Sequence, residues 1–164
     1  MKEDQVLLHG PLYDHSGYAT AFRSMIDIMN SLDYQYLIVP DFRWSGLGTN
    51  INFSCNGAIK NHLINKNSSF LKNNPPDIIY QMQRSRSPIN SSNSLNIIHT
   101  MFETDQCPQG WKLELNQADM VMNPSEFGVG AFKRSGISNC YYMPFYIDTN
   151  KFNSDINKSI KGDK

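Results

Sequence analysis

At 164 residues, the chain is long enough for one domain with a substantial core and short for two. Its 15 Lys and Arg residues balance its 15 Asp and Glu residues, so it lacks the basic surplus that attracts nucleic acid or anionic lipid. The three cysteines, Cys55, Cys107 and Cys140, form no metal-binding spacing, and neither a signal peptide nor a transmembrane segment is recognisable, so we expect a cytoplasmic protein with reduced thiols.

The first half of the chain predicts two strands with a helix between them. Residues 5–9 are a short apolar run that ends at Gly10-Pro11, and residues 34–39 are rich in aromatic and β-branched side chains. Between these strands, apolar residues recur at helical spacing over residues 18–32, with Ser16 as the candidate N-cap. The next segment is broken by Asn, Gly and Ser, although residues 58–71 have the composition of a short helix.

The second half predicts four more strands and two helices. The strands are expected at residues 77–82, 95–101, 119–122 and 140–146. One helix is expected at residues 111–117, and the other runs to Ser135 with Ser125 as N-cap and Gly136 as the residue after the helix end.

This alternation predicts an α/β fold, a doubly wound Rossmann-like parallel sheet with helices on both faces. We expect residues 1–147 to form this domain and residues 148–164, which are polar and without periodicity, to be a linker or tail. In such sheets ligands bind beyond the carboxyl ends of the strands, so the loops after each strand are the candidate sites.

The loop after the first strand contains Gly10 and Gly17 but no G-x-G-x-x-G, so the dinucleotide-binding fingerprint is absent. Asp41 ends the second strand, and we expect it to be a solvent-exposed acid rather than a ribose ligand. Gly17 opens a helix, where it either lets an anion such as a diphosphate approach or merely permits the turn. His15 lies in the same loop and is either part of the crevice or a structural histidine.

The loop after the fourth strand, HTMFETDQCPQGW, contains an imidazole, two carboxylates, a thiol and a tryptophan, which is more functional side chains than a connecting loop usually has. Glu103 and Asp105 are suited to accept hydrogen bonds from sugar hydroxyls, although Asp105 is also suited to cap a turn. His99 is either a site residue or a hydrogen-bonded structural histidine. We expect Cys107, which lacks a basic neighbour, and Trp111 to be structural.

An ordered series of residues extends from this loop towards the end of the chain. Together with a first loop ending in Ser16-Gly17-Tyr18, the series resembles the N-terminal domain of retaining glycosyltransferases with the two-domain GT-B fold, the family-4-like enzymes of group 1. Phe145-Tyr146 departs from the family, which often has His or Gly before the Asp. The series consists of Met101-Phe102-Glu103-Thr104-Asp105, Pro108, Trp111, Leu115-Asn116, Ala118-Asp119, Pro124-Ser125, Phe127, Phe132, Ser135-Gly136, Pro144, Asp148 and Phe152.

The resemblance implies an acceptor-binding domain that works with a second domain holding the nucleotide-sugar donor. It implies that Gly17, with Tyr18 beside it, approaches the donor diphosphate and that Ser125 lies at the cleft edge. It also implies that reaction depends on positioning and charge stabilisation, with no metal and no cofactor, because the leaving diphosphate helps to deprotonate the acceptor.

By the same resemblance, the acceptor is a carbohydrate or glycoconjugate. Glu103 and His99 are the candidate catalytic residues, and Asp105 and His15 are candidate acceptor-side residues. The face towards the second domain is expected to expose Tyr18, Phe102 and Tyr146.

The donor-binding domain of the family is not found in this sequence. We therefore expect hexosyl transfer only if a C-terminal domain or second subunit completes the site, and no turnover of a nucleotide sugar by the chain alone. Two alternatives stay open, a non-catalytic Rossmann-like binding or scaffold module and a small nucleotide-binding protein.

Overall fold

The computed structural model describes residues 5–13, 15–41, 59, 61–64, 69–82, 88–147 and 149. Six strands form one sheet in the spatial order β2-β1-β3-β4-β5-β6, and every neighbouring pair is parallel. The predicted α/β class with a parallel sheet is confirmed. The strands are β1 (Val6–Gly10), β2 (Tyr36–Pro40), β3 (Ile78–Met82), β4 (Leu95–His99), β5 (Met120–Asn123) and β6 (Cys140–Tyr142).

Four α-helices have both ends within the described residues, and the two longest of them, α1 and α4, begin at a serine cap. Ser16 accepts a hydrogen bond from the backbone N–H of Ala19 at 3.1 Å, and Ser125 accepts one from Gly128 at 3.0 Å. Gly136 has φ of 91°, the left-handed conformation expected just after a helix. The helices are α1 (Gly17–Ser31), α2 (Ser69–Asn73), α3 (Lys112–Gln117, after a 3-10 turn at Gln109–Trp111) and α4 (Glu126–Arg134).

Helices cover both faces of the sheet, which confirms the doubly wound arrangement. On one face, Phe22 and Ile26 of α1 pack in a core with Leu8, Tyr80 and Ile97 from three strands. On the other face, α3 and α4 contribute Leu115 and Phe132 to a core with Ile98, Val121 and Cys140. The burial of continuous apolar strands on both sides is the main source of stability for such a sheet.

Gly10 explains how closely α1 approaches the sheet. A Cβ atom at this position would lie 2.6 Å from Cδ2 of Phe22, a distance that side-chain carbons do not adopt. The bare backbone at the end of β1 therefore lets the Phe22 ring pack directly on the strand.

Two predicted strands end earlier than expected. β4 stops at His99 rather than residue 101 because the backbone N–H of Met101 donates to the Tyr18 hydroxyl at 2.8 Å instead of to a neighbouring strand. β6 stops at Tyr142, after which Met143 donates one further backbone hydrogen bond to Asn123. Pro144 has no N–H with which to continue the ladder.

The short helix indicated within residues 58–71 is present at residues 69–71, which belong to α2, but residues 61–64 are not helical. Leu63 instead forms a parallel bridge with Ile38, which donates to the carbonyl of His62 at 2.7 Å and accepts from Ile64 at 2.8 Å. This segment adds backbone pairing along the outer edge of β2. Asp41 also differs from expectation, since it is only 7% exposed and donates its backbone N–H to the Gly10 carbonyl. The predicted tail lies outside the described residues, Thr149 excepted.

Candidate functional site

The strand order indicates where a ligand is expected to bind at the carboxyl edge of the sheet. β1 lies between β2 and β3. The strand that follows it in sequence, β2, pairs with one side of it, and β3 to β6 extend the sheet on the other side. The helices of these two halves, α1 and then α3 with α4, cover opposite faces. The strand order thus reverses at β1, and in doubly wound sheets a binding crevice is expected at such a switch point, beyond the carboxyl ends of the strands.

The start of α1 is open at this edge. Ser16 has extended backbone angles and caps the helix, so that Gly17 is the first helical residue. Gly17 is exposed, and a Cβ placed on it would meet no heavy atom of the described residues within 4 Å. His15, just before the cap, is also exposed. An exposed glycine in the first turn of a 15-residue helix suits the approach of an anion to the positive end of the helix dipole.

Tyr18 does not line this open space. Its ring is 7% exposed and lies in the core beneath α1. Its hydroxyl donates to the carbonyl of Met101 at 2.8 Å and accepts from the N–H of the same residue at 2.8 Å. The expected exposure of Tyr18 is therefore wrong, because these hydrogen bonds hold the hydroxyl against the loop after β4. Tyr18 fixes the position of that loop relative to α1.

His99 is a buried imidazole at the carboxyl end of β4. It is 1% exposed, its Nδ1 lies 2.6 Å from the Tyr80 hydroxyl, and its ring packs 4.7 Å from that of Phe145. Burial lowers the pKa of His99 to about 4, although the backbone of Met143 partly opposes this change. Nε2 has no hydrogen-bond partner within the described part of the chain. The ring is therefore neutral near pH 7 and lies beneath Phe145 rather than in the open crevice.

The two carboxylates of the loop after β4 lie in different surroundings. Both Glu103 and Asp105 are exposed. The loop then turns inward, where the backbone N–H of Cys107 donates to Ser135 Oγ at 2.8 Å. Asp105 lines a pocket with residues of α4, whereas Glu103 is not among the lining residues of that pocket. Glu103 is thus an exposed carboxylate of this loop that takes no part in that pocket.

The structural roles expected for two other residues of this loop are confirmed. Cys107 is buried in the core beneath α3 and α4, and burial raises the pKa of its thiol, partly opposed by Lys112. Trp111 packs edge-on against Phe102, with 5.1 Å between the ring centroids. Phe102 is consequently half-buried, while Tyr146 is 48% exposed as expected.

Ser125, at the start of α4, is the third candidate residue at the carboxyl edge of the sheet. It is exposed, and its backbone N–H and hydroxyl both donate to Oδ1 of Asn123, at 3.1 and 3.2 Å. The amide Nδ2 of Asn123, itself buried, has no hydrogen-bond partner in the described region. Asn123 is not among the site residues predicted from the sequence, although an Asn directly before Pro at a strand end is a recognised turn signal.

Comparison of the chain with models of known families, with curated proteins and with solved structures gives no match. The site is therefore interpreted from its own chemistry. No group of three or more His, Cys, Asp or Glu residues suited to a metal ion occurs among the described residues. None of the helices described is long and apolar enough to cross a membrane.

The chemistry available at this edge is binding and positioning. It comprises an open helix start at Gly17, an exposed carboxylate at Glu103 and an exposed hydroxyl at Ser125. An open helix start favours a negatively charged group, and a carboxylate accepts hydrogen bonds from two neighbouring hydroxyls. This combination suits a ligand that carries both hydroxyl groups and an anionic group.

Proposed function

We propose that this chain is the acceptor-side, N-terminal domain of a retaining glycosyltransferase with the two-domain GT-B architecture. The observation that carries the proposal is the carboxyl edge of a six-stranded parallel sheet where Gly17, Glu103 and Ser125 all remain exposed. The motif series that resembles this family includes all three residues. The proposal therefore rests on their sequence context together with the edge on which they lie.

In this proposal, the open start of α1 receives the diphosphate of a nucleotide-sugar donor. Gly17 supplies a backbone N–H without a side chain to block it, and the helix dipole favours the negative charge that develops on the leaving group. The donor sugar and nucleotide are held mainly by another domain or subunit. This chain contributes one side of the cleft.

Glu103 orients the acceptor carbohydrate through hydrogen bonds from its hydroxyl groups. In a retaining transfer of this kind, the leaving diphosphate takes the proton from the attacking hydroxyl, so the domain needs no general base of its own. Holding the hydroxyl in line with the donor is then its catalytic contribution. His99, which is neutral and buried, is placed to hold β4 and the segment around Phe145 together.

Carbohydrate binding with a matched pair of variants tests the role of Glu103. Glu103→Gln removes the exposed carboxylate charge of the loop, and Asp27→Asn removes an exposed carboxylate charge on α1 as a control. A panel of monosaccharides and disaccharides is titrated calorimetrically into each protein. We expect Glu103→Gln to weaken binding about tenfold to a hundredfold, since hydrogen bonds to charged groups contribute about 1.5–3 kcal/mol. The Asp27→Asn variant should bind like the wild type.

Two outcomes count against the proposal. Equal affinity of the Glu103→Gln variant and the wild type contradicts the role of Glu103, and the absence of binding to any carbohydrate contradicts acceptor binding. A thermal shift with nucleoside diphosphates but not with carbohydrates favours a nucleotide-binding protein instead. A ligand present at 100 times its dissociation constant stabilises by about 2.7 kcal/mol, which is readily detected.

A further inference from the structure

A second concave site lies between the loop after β4 and the end of α4. It is a pocket of about 670 Å³, within the size range of about 300–1,000 Å³ that is usual for small-molecule sites. We call it the α4 pocket. Its polar lining includes Asp105, Gln106, Lys112, Arg134 and Ser135.

The walls of the α4 pocket are held in place by the surrounding structure. Cys107 is fixed to Ser135 through the 2.8 Å hydrogen bond to its hydroxyl, and its side chain lies in the core. The Thr104 hydroxyl donates to the carbonyl of Gln106 at 2.7 Å, which closes a turn in the loop. Phe102 contributes an apolar wall and is held by its contact with Trp111. A pre-formed wall of this kind reduces the conformational entropy lost on binding.

Positive charge predominates in this pocket. Its lining includes two basic residues, Lys112 and Arg134, and one carboxylate, that of Asp105. The guanidinium of Arg134 extends back beside Gly130, where Nη1 lies 3.1 Å from the position that a Cβ would occupy. An ammonium and a guanidinium in one concave surface attract phosphate more strongly than they would on a flat surface.

We propose that the α4 pocket binds a small phosphate-bearing ligand with hydroxyl groups, a polyol phosphate. Lys112 and Arg134 take the phosphate group. Asp105 repels that group but accepts hydrogen bonds from hydroxyls, so it favours a ligand whose hydroxyls lie away from the phosphate. Gln106 offers both donors and acceptors at the same wall. The proposal is independent of the proposed function, because Gly17, Glu103 and Ser125 do not line this pocket.

Three probes separate the chemical features of such a ligand. Inorganic phosphate, glycerol 3-phosphate and glycerol are titrated into the isotope-labelled chain in a phosphate-free buffer, and backbone amide shifts are followed by NMR. We expect saturable shifts at Gln106, Lys112 and Ser135 with both phosphates, tighter binding of glycerol 3-phosphate, and no shifts with glycerol alone. Equal affinity for the two phosphates would overturn the proposal of a polyol phosphate, because the hydroxyl groups would then contribute nothing to binding.

Charge variants test whether phosphate binds through the α4 pocket or through the general charge of the surface. Arg134→Gln and Lys112→Gln should each weaken phosphate binding about tenfold, the usual effect of losing one charge-assisted hydrogen bond. Lys133→Gln is the control, because this exposed neighbour on α4 does not line the pocket. Asp105→Asn should strengthen binding of inorganic phosphate and reduce the preference for glycerol 3-phosphate.

Two further results would overturn the proposal. One is the absence of saturable shifts at the pocket amides with both phosphates. The other is an equal loss of affinity in Lys133→Gln and Arg134→Gln, which would mean that phosphate responds only to surface charge. All substitutions are at solvent-accessible side chains, and circular dichroism of each variant verifies that it is folded. Neither result bears on carbohydrate binding at the carboxyl edge, so the two proposals fail separately.

Discussion

Substitution by alanine should have opposite effects on the free energy of unfolding at two glycines of α4. Gly128 and Gly130 are both helical with ordinary negative φ, and alanine improves helix propensity by up to about 1 kcal/mol relative to glycine. A Cβ at Gly128 would lie 2.6 Å from Nδ2 of Asn123 and closer still to its Oδ1. A Cβ at Gly130 would meet only Nη1 of Arg134, at 3.1 Å.

The expected changes in the free energy of unfolding depend on which side chain the new Cβ displaces. In Gly128→Ala, the Asn123 amide is displaced, and its hydrogen bonds from the N–H and hydroxyl of Ser125 are weakened or lost. Overpacking costs about 1–3 kcal/mol and each hydrogen bond about 1 kcal/mol, so a net loss of about 2–3 kcal/mol remains after the gain in propensity. In Gly130→Ala, the flexible end of Arg134 moves by a few tenths of an ångström. That variant should gain about 0.5–1 kcal/mol.

Urea unfolding followed by circular dichroism measures both changes in the free energy of unfolding. Thermal unfolding should show the same order, with shifts of about 2–4 °C for each kcal/mol in a chain of this size. The double variant is the control for independence, and its effect should be close to the sum of the two single effects. The packing of α4 against Asn123 is refuted if Gly128→Ala is as stable as the wild type.

Two further substitutions test the interior of the candidate site. The folded pKa of His99, about 4, lies below its ordinary value of 6.5, so the unfolded chain takes up the proton first and stability falls as pH decreases from 6.5 towards 4. Between about pH 7.5 and about pH 4.5, the wild type should lose about 2–3 kcal/mol more unfolding free energy than His99→Leu, and equal pH profiles would contradict this reasoning. Tyr18→Phe should reduce the free energy of unfolding by about 1–3 kcal/mol, because the N–H and carbonyl of Met101 lose their partner. A change of less than about 0.5 kcal/mol, the usual effect of a surface substitution, would show that Tyr18 does not hold the loop.

Sequence patterns predicted the features of the fold that depend on neighbouring residues. Ser16, Ser125 and Gly136 mark helix ends because capping requires a side-chain acceptor or a positive φ at one defined position. The buried strands follow from short apolar runs with turn residues at their ends. The parallel sheet follows in turn from the alternation of strands and helices.

Features that depend on distant contacts were not predictable in the same way. The hydrogen bonds of Tyr18 to Met101 span 83 residues, and they account for both the burial of Tyr18 and the early end of β4. The pairing of residues 62–64 with Ile38 likewise replaces a helix that local composition favoured. Asp105 and Arg134 share a pocket only because Cys107 is fixed to Ser135, 28 residues later in the chain. No local pattern in the sequence encodes these contacts.

Of the candidate site, the sequence predicted the edge but not the orientation of every side chain. Gly17, Glu103 and Ser125 remain exposed where strands and helices meet. His99 and Tyr18, which were expected to line the cleft, are buried. Nδ1 of His99 is hydrogen-bonded to the Tyr80 hydroxyl, and the Tyr18 hydroxyl is hydrogen-bonded to the backbone of Met101. Whether a polar side chain points into the core or towards solvent depends on tertiary packing, which periodicity alone does not determine.

The location of carbohydrate binding tests the central claim most directly. Backbone amide shifts of the isotope-labelled chain are mapped by NMR during titration with the carbohydrates of the panel and with UDP-glucose and GDP-mannose. The account predicts that carbohydrates shift the amides of Glu103 and Ser125, and that the nucleotide sugars shift Gly17. Shifts confined to the α4 pocket or to the opposite edge of the sheet, or no shifts with any of these compounds, would contradict it.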